Sequence, residues 1–275
     1  MVSPQIYVGE IAWRAVEALN MQCVLRLLRT PGILYDLKTG DALVDRQRAV
    51  VATRFLLETK ADVLVTIDSD ILFEPDDVLT IAEQAVTHDI VAGLYMTRSA
   101  GRCIPTSHLL PDTPISLDDP DPQPIKWAAS GFTAYHRRVF ERLTETMPIC
   151  HEKQPEMRFF PFYTPFPYDD EENGVIYLSE DWALSERARA AGFGVYLNAA
   201  VRLSHLGVYP YGRDDLIRQD VPDGSMTVTR LGGPGARYRA ELTPAGLKDN
   251  PSPFDEPLIP NRAERRRQAR ELARV

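Results

Sequence analysis

The chain has 275 residues, 44% hydrophobic and 25% charged, the balance of a globular protein with a sizeable core. A net charge of −8 argues against a broad nucleic-acid-binding surface. Cys23, Cys103 and Cys150 are too scattered for a disulfide framework or a C-x-x-C metal site, no apolar run reaches the roughly 18 residues of a membrane span, and the first five residues lack the features of a signal peptide, so a cytoplasmic protein is expected.

Residues 6–8 read as a short strand ending at Gly9-Glu10. A helix over 11–29 follows and is closed by Pro31-Gly32. Residues 33–37 form a second strand. The segment 42–60 places Val44, Val51 and Phe55 on one helical face, with Asp41 as its N-cap. The apolar run Val63-Leu-Val-Thr-Ile is a third strand, buried on both faces as in a mostly parallel sheet, and it stops at Asp68-Ser69-Asp70. Pro75 opens a helix carrying Val78, Ala82 and Ala85 at helical spacing, and residues 90–94 are the fourth strand. This alternation implies right-handed βαβ units and a nucleotide-binding type of half.

Residues 110–124, rich in Pro and Asp, break the pattern and read as a surface excursion. A second D-x-D lies there, Asp119-Pro-Asp121, but no apolar strand precedes it and it reads as solvated loop. Further strand is expected over 127–135 and 195–197, with an extended piece over 201–205. Helix is expected over 136–143 and over 184–191, the latter stopped by Gly192. Residues 158–168 read as a Pro- and aromatic-rich loop. The chain therefore divides into a domain over 1–210 and an extension over 211–275, whose Arg-rich end carries +4 (six Arg minus Glu264 and Glu271).

The third strand supplies the chemical argument. In open α/β sheets ligands bind beyond the carboxyl ends of the strands. Two acids at that place are costly unless a cation meets them. A divalent cation carrying a diphosphate suits two hard oxygen donors.

Four pieces stand in order: residues 41–57 with Arg46 and Arg48, then Ile67-Asp-Ser-Asp70, then 128–138, then Ser179-Glu-Asp181 running on to Ser204-His205. Over roughly residues 5–210 they resemble GT-A glycosyltransferases, in particular the family 2-like group with many bacterial and phage members. The resemblance implies a GT-A fold, an α/β architecture with a mainly parallel mixed sheet flanked by helices. It implies a nucleotide-diphospho-sugar donor, a UDP-sugar first, together with Mn²⁺ or Mg²⁺. Asp68 and Asp70 match the family's D-x-D, which binds ribose and metal, with Ser69 between them. His205 matches the histidine that closes the metal site. Asp181, with Glu180 beside it, matches the acid that deprotonates the acceptor hydroxyl. The same Ser-Glu-Asp also suits a helix N-terminus. Arg48 matches the Arg of an Arg-Asn pair near the nucleotide, whereas Ala49 departs from the Asn. Val8, Gly9 and Glu10 fall where the family lays its base-binding loop. Trp127, Gly131 and Trp182 fall on the acceptor side.

The resemblance implies transfer of a sugar to an acceptor hydroxyl, with inversion where an enzymic base assists direct displacement. The alternative is a haloacid-dehalogenase-type phosphohydrolase, which also places D-x-D after an apolar strand, with the first Asp as nucleophile. That fold needs the motif near its start, and here two strand–helix units precede Asp68. A further alternative is a glycosyltransferase acting on modified DNA, its basic tail drawn to a polyanionic acceptor.

Overall fold

The computed structural model describes residues 3–98, 104–152, 157–171, 173–207, 210–212, 226–231 and 239–244. The elements of the first half are β1 (Ile6–Ala12), α1 (Ala18–Leu27), β2 (Ile33–Thr39), α2 (Val44–Glu58), β3 (Val63–Asp68), β4 (Ile71–Leu72), α3 (Pro75–His88) and β5 (Ile90–Gly93). Then come β6 (Ile115–Ser116), β7 (Gln123–Pro124), β8 (Phe132–His136), α4 (Arg137–Thr144), β9 (Cys150–His151) and β10 (Arg158–Phe159). The hairpin β11 (Phe166–Asp170) and β12 (Gly174–Leu178) leads into α5 (Glu180–Ala190) and β13 (Val195–Asn198). Short strands β14 (Ser204–Leu206) and β15 (Pro210–Gly212) follow, then the pair β16 (Met226–Leu231) and β17 (Arg239–Pro244).

One seven-stranded sheet, ordered β2-β1-β3-β8-β5-β13-β7, organises the chain. β1, β2, β3, β5 and β13 run in one direction, and β8 and β7 run against them. The sheet is thus mixed and mainly parallel, and helices cover both faces, which is the α/β fold class the sequence implies. β3 shows why its residues alternate so little in polarity. Leu64 enters one apolar cluster with Phe55 of α2 and Phe140 of α4, while Val63, Val65 and Ile67 enter the other with Val78 and Ile81 of α3. A strand buried on both faces has no polar side to display. Among the described residues no helix is long and apolar enough to cross a membrane.

Several boundaries differ from those read in the sequence. β1 does not stop at Gly9 but runs to Ala12, so α1 begins at Ala18 rather than at residue 11. Gly9 lies inside the strand because α2 crosses it closely: a Cβ there would meet Val51 Cγ1 at 2.2 Å. α2 starts at Val44, and Asp41 instead accepts from the Leu43 amide at 3.0 Å and pairs with Arg46. α5 starts at Glu180, four residues before its apolar face becomes visible, because the acids of its first turn are stabilised by the helix dipole. The Pro/Asp-rich excursion contains two short strands: β7 is an edge of the main sheet, and β6 pairs with β17. The extension therefore does not simply trail away, since its β16–β17 hairpin returns to the excursion. The second D-x-D is a local turn, with the Asp121 amide donating to Asp119 Oδ1 at 3.0 Å. The Arg-rich tail lies outside the described residues.

Glu10, in the middle of β1, is completely buried and accepts from Tyr35 Oη at 2.7 Å. Burial is the dominant influence and lifts its pKa from 4.5 to about 7; the Tyr35 hydrogen bond opposes this and the Asp68 charge adds to it. A carboxyl whose folded pKa is raised favours the fold fully below pH 4.5 and loses that contribution as pH climbs through about 7. Glu10→Gln should therefore gain stability over the wild type on going from pH 5 to pH 8, by an amount on the order of 3 kcal/mol. Urea midpoints at the two pH values measure it, and parallel pH trends for both proteins would clear Glu10 as the source.

Candidate active site

The acidic turn after β3 is held from three sides. Asn20 of α1, fully buried, donates through Nδ2 to the Ile71 carbonyl at 2.8 Å and to the Asp68 carbonyl at 3.2 Å. The Glu17 amide donates to the Ser69 carbonyl at 3.0 Å. The Asp68 amide donates to the Gly131 carbonyl, and the Leu206 amide to the Asp70 carbonyl, both at 2.8 Å. The carbonyls of Asp68, Ser69 and Asp70 are thus all bonded within the protein, and the three residues line the adjoining cavity.

Asp68 is bound to an arginine. Arg48 Nη2 stands 2.8 Å from Asp68 Oδ1 and 3.1 Å from Oδ2, and its Nη1 donates to the Ser130 carbonyl at 3.1 Å. Its Nε is 3.8 Å from Glu180 Oε1. Burial alone would lower the pKa of this guanidinium, but the Asp68 and Glu180 charges outweigh it and hold Arg48 above its ordinary value. Burial raises the pKa of Glu180, the Asp181 charge adds to this, and Arg48 opposes it.

Asp70 faces a different set. Arg98 Nη1 is 2.7 Å from Asp70 Oδ2, and His205 Nε2 is 3.4 Å from Oδ1. Burial pushes the Asp70 carboxyl up, yet His205 and Arg98 together bring it below the ordinary carboxylate range. His205 comes from far along the chain because β14 pairs antiparallel with β4, placing His205 opposite Ile71. Its Nδ1 lies 2.7 Å from the Met96 carbonyl, and a carbonyl only accepts, so Nδ1 carries the proton. Nε2, the other ring nitrogen, is the atom turned to Asp70 Oδ1. A carboxylate oxygen and an imidazole nitrogen at that separation fit a divalent ion that keeps other positions for phosphate and water.

The expected three-residue metal set is split. Among the described residues no group of three or more His, Cys, Asp or Glu side chains gathers as a metal site. Arg48 takes up the Asp68 carboxylate, which leaves Asp70 with His205.

A cavity of about 470 Å³ opens beside this turn. It is lined by Ile11 and Ala12 at the end of β1 and Trp13 after it, by Asp41, Gln47 and Arg48 around α2, by Asp68, Ser69 and Asp70, and by Arg98. Its size suits a small-molecule ligand. Of the expected base-binding stretch, Val8, Gly9 and Glu10 are buried inside β1, and the chain meets the cavity three residues later, because the strand is longer than its sequence suggests.

The remaining site residues lie around this centre. Asp181 Oδ1 accepts from Ser179 Oγ and from the Trp182 amide, the latter at 2.8 Å. Gly131 sits under Asp68 rather than on an acceptor face: a Cβ there would come within 2.7 Å of Asp68 Oδ2 and 2.4 Å of Tyr95 Oη. Trp127 is only 1% exposed and donates to Glu186 at 2.9 Å, so it is core and cannot present its face to a sugar. Half-buried Trp182 stacks on it, with ring centroids 5.2 Å apart. Asn20, Tyr95, Gln47 and Arg98 were not singled out by the sequence. An Asn on the buried face of α1, beside Cys23, Val24 and Leu27, was the available signal for the first; Arg98 follows β5 with no motif of its own.

No protein-family model matches the chain, and neither does any curated relative. Among solved structures, A197 from STIV is similar at 15% identity and a TM-score of 0.48, over 74% of this chain and 86% of the other. GalNAc-T7, crystallised with UDP, GalNAc and Mn²⁺, is similar at 11% identity and the same TM-score, over 74% of this chain and 43% of that one. At these levels the likeness lies in the course of the backbone alone.

Arg48→Met leaves Asp68 without its buried partner and should destabilise the protein by about 3 kcal/mol. Arg48→Met combined with Asp68→Asn should lose clearly less than the sum of the two single changes, since the pair is coupled. Denaturant unfolding of the four proteins gives the coupling; additive losses would show that the pair contributes no specific interaction.

Proposed function

We propose that the protein is a GT-A-type glycosyltransferase, moving a sugar from a nucleoside-diphosphate donor to an acceptor hydroxyl. The observation that carries this reading is the arrangement of Asp68, Asp70 and His205 with Arg48 and Arg98 at the carboxyl end of β3, beside a cavity of ligand size. The sheet order supports it: antiparallel β8 is inserted between parallel β3 and β5, and its preceding loop backs the acidic turn. A bound Mn²⁺ or Mg²⁺ would be held by Asp70 and His205 and would supply charge neutralisation for the departing diphosphate.

The chain's own residues divide the remaining work. Asp68, fixed by Arg48, would accept hydrogen bonds from a ribose. Asp181 is the proposed base: Ser179 and the Trp182 amide hold one oxygen, and the other would take the proton of the acceptor hydroxyl. Removal of the hydroxyl proton as the acceptor oxygen attacks the anomeric carbon favours inversion. Glu180 belongs on the donor side, since it faces Arg48. The phosphohydrolase alternative requires a free Asp68 nucleophile and a nearby lysine; Asp68 is paired with Arg48, and Lys126 with Asp170.

Hydrolysis of UDP-, GDP- and dTDP-sugars in Mn²⁺, read as released nucleotide, tests the assignment. Asp70→Ala should abolish the metal-dependent rate, and full activity in that variant would refute the site. Asp181→Asn should lower transfer to the true acceptor by roughly 10²–10⁴-fold while donor binding holds. Glu180→Gln should instead weaken donor binding. The reverse pattern would exchange the two roles.

A further inference from the structure

We infer that Arg98 is a cation exchanged at the donor site: it holds Asp70 in the empty protein, gives way when a divalent ion arrives, and then binds the donor's diphosphate. This inference rests on the reading above, because it concerns how that site handles its ligand.

Both positive side chains in the cavity lining are arginines, and they are not alike. Arg48 is 5% exposed and is committed to Asp68, Glu180 and the Ser130 carbonyl. Its guanidinium cannot follow a ligand without abandoning a buried carboxylate. Arg98 has half of its side chain exposed, 51%, and among the described residues its ionic partner is Asp70. Solvent reaches this pair from the Arg98 side, so parting it costs less than parting the buried Arg48 pair.

The competition follows from the donor set. Asp70 offers one oxygen to Arg98 and the other toward His205. A divalent ion on Asp70 and His205 would place a second positive charge against the Arg98 guanidinium on the same carboxylate. That repulsion displaces the longer and more exposed partner. The stem of Arg98 runs beside Gly207, just after β14, where an added Cβ would come within 3.3 Å of Arg98 Cβ and 3.4 Å of its Cγ. Only the distal fork is released, within the same cavity. The lining carries three aspartates against these two arginines, so a diphosphate entering there needs a mobile positive group. A guanidinium presents paired donors that match phosphate oxygens.

The test uses the full chain and its Arg98→Gln and Arg98→Lys variants. Mn²⁺ binding is followed by loss of the free-ion electron paramagnetic resonance signal, and UDP binding in saturating Mn²⁺ by calorimetry. Arg98→Gln should bind Mn²⁺ alone about tenfold more tightly than the wild type, while its affinity for UDP falls about tenfold. Arg98→Lys, keeping the charge without the fork, should lie between the two on UDP. If Arg98→Gln matches the wild type in either titration while the wild type binds both ligands, the exchange is wrong and the functional reading stands. If the wild type binds neither Mn²⁺ nor UDP, the reading falls and this inference with it.

Discussion

The buried guanidinium of Arg48 is the constraint around which this site is built. Taking a positive charge out of water is costly unless carboxylates and carbonyls replace the solvent. Here Asp68 from β3, Glu180 from α5 and the carbonyl of Ser130 before β8 all converge on it. Those groups come from three separate stretches of chain, so satisfying one side chain fixes the relation between α2, the end of β3 and the start of α5. The glycine at 131 belongs to the same requirement, because any Cβ there would occupy the space in which Asp68 and Tyr95 meet.

A second closure brings in the distant histidine. The strand that ends in Asp68 turns and continues as the short β4, and β4 is the surface on which β14 docks. The 135-residue separation between Asp70 and His205 (205 − 70) is thereby reduced to a contact. Asn20 keeps the turn in shape by bonding carbonyls at both of its ends, and Tyr95 packs its ring edge-on against His205 while accepting from the Gly131 amide. The two halves of the site share one backbone turn but have separate positive partners, Arg48 on Asp68 and Arg98 on Asp70.

Much of this was legible in the sequence, and the failures have a common cause. β3, α3, α4 and β13 declare themselves by apolar pattern and by the residues at their ends. Asp68, Asp70, Glu180, Asp181 and His205 lie where ordered motifs placed them in the chain, and the structure brings the acids of β3 and α5 to one arginine. What could not be read depends on contacts between distant segments. β1 continues past Gly9 because parallel neighbours on both sides carry it to Ile11 and β2 carries it on to Ala12. β4, β6 and β7 are two-residue strands defined only by their partners. Trp127 and Gly131 sit near the right place, yet which face a tryptophan shows, or what a glycine makes room for, is set by packing that leaves no local trace.

The distribution of charge reconciles an acidic chain with the anionic donor proposed for it. The net −8 is a property of the whole surface, whereas a ligand in the cavity meets the local set. There each acid of the D-x-D already has a guanidinium against it, so the cost of gathering carboxylates at a strand end is met within the protein before any ligand arrives. The two pairs are not equivalent in depth. The Arg48 pair is buried and serves as scaffold; the Arg98 pair lies at the rim, where solvent weakens it and a competing ion can open it. A site made in this way keeps one acid in fixed geometry and the other in reserve, and that asymmetry is what two carboxylates separated by a single residue can provide and one cannot.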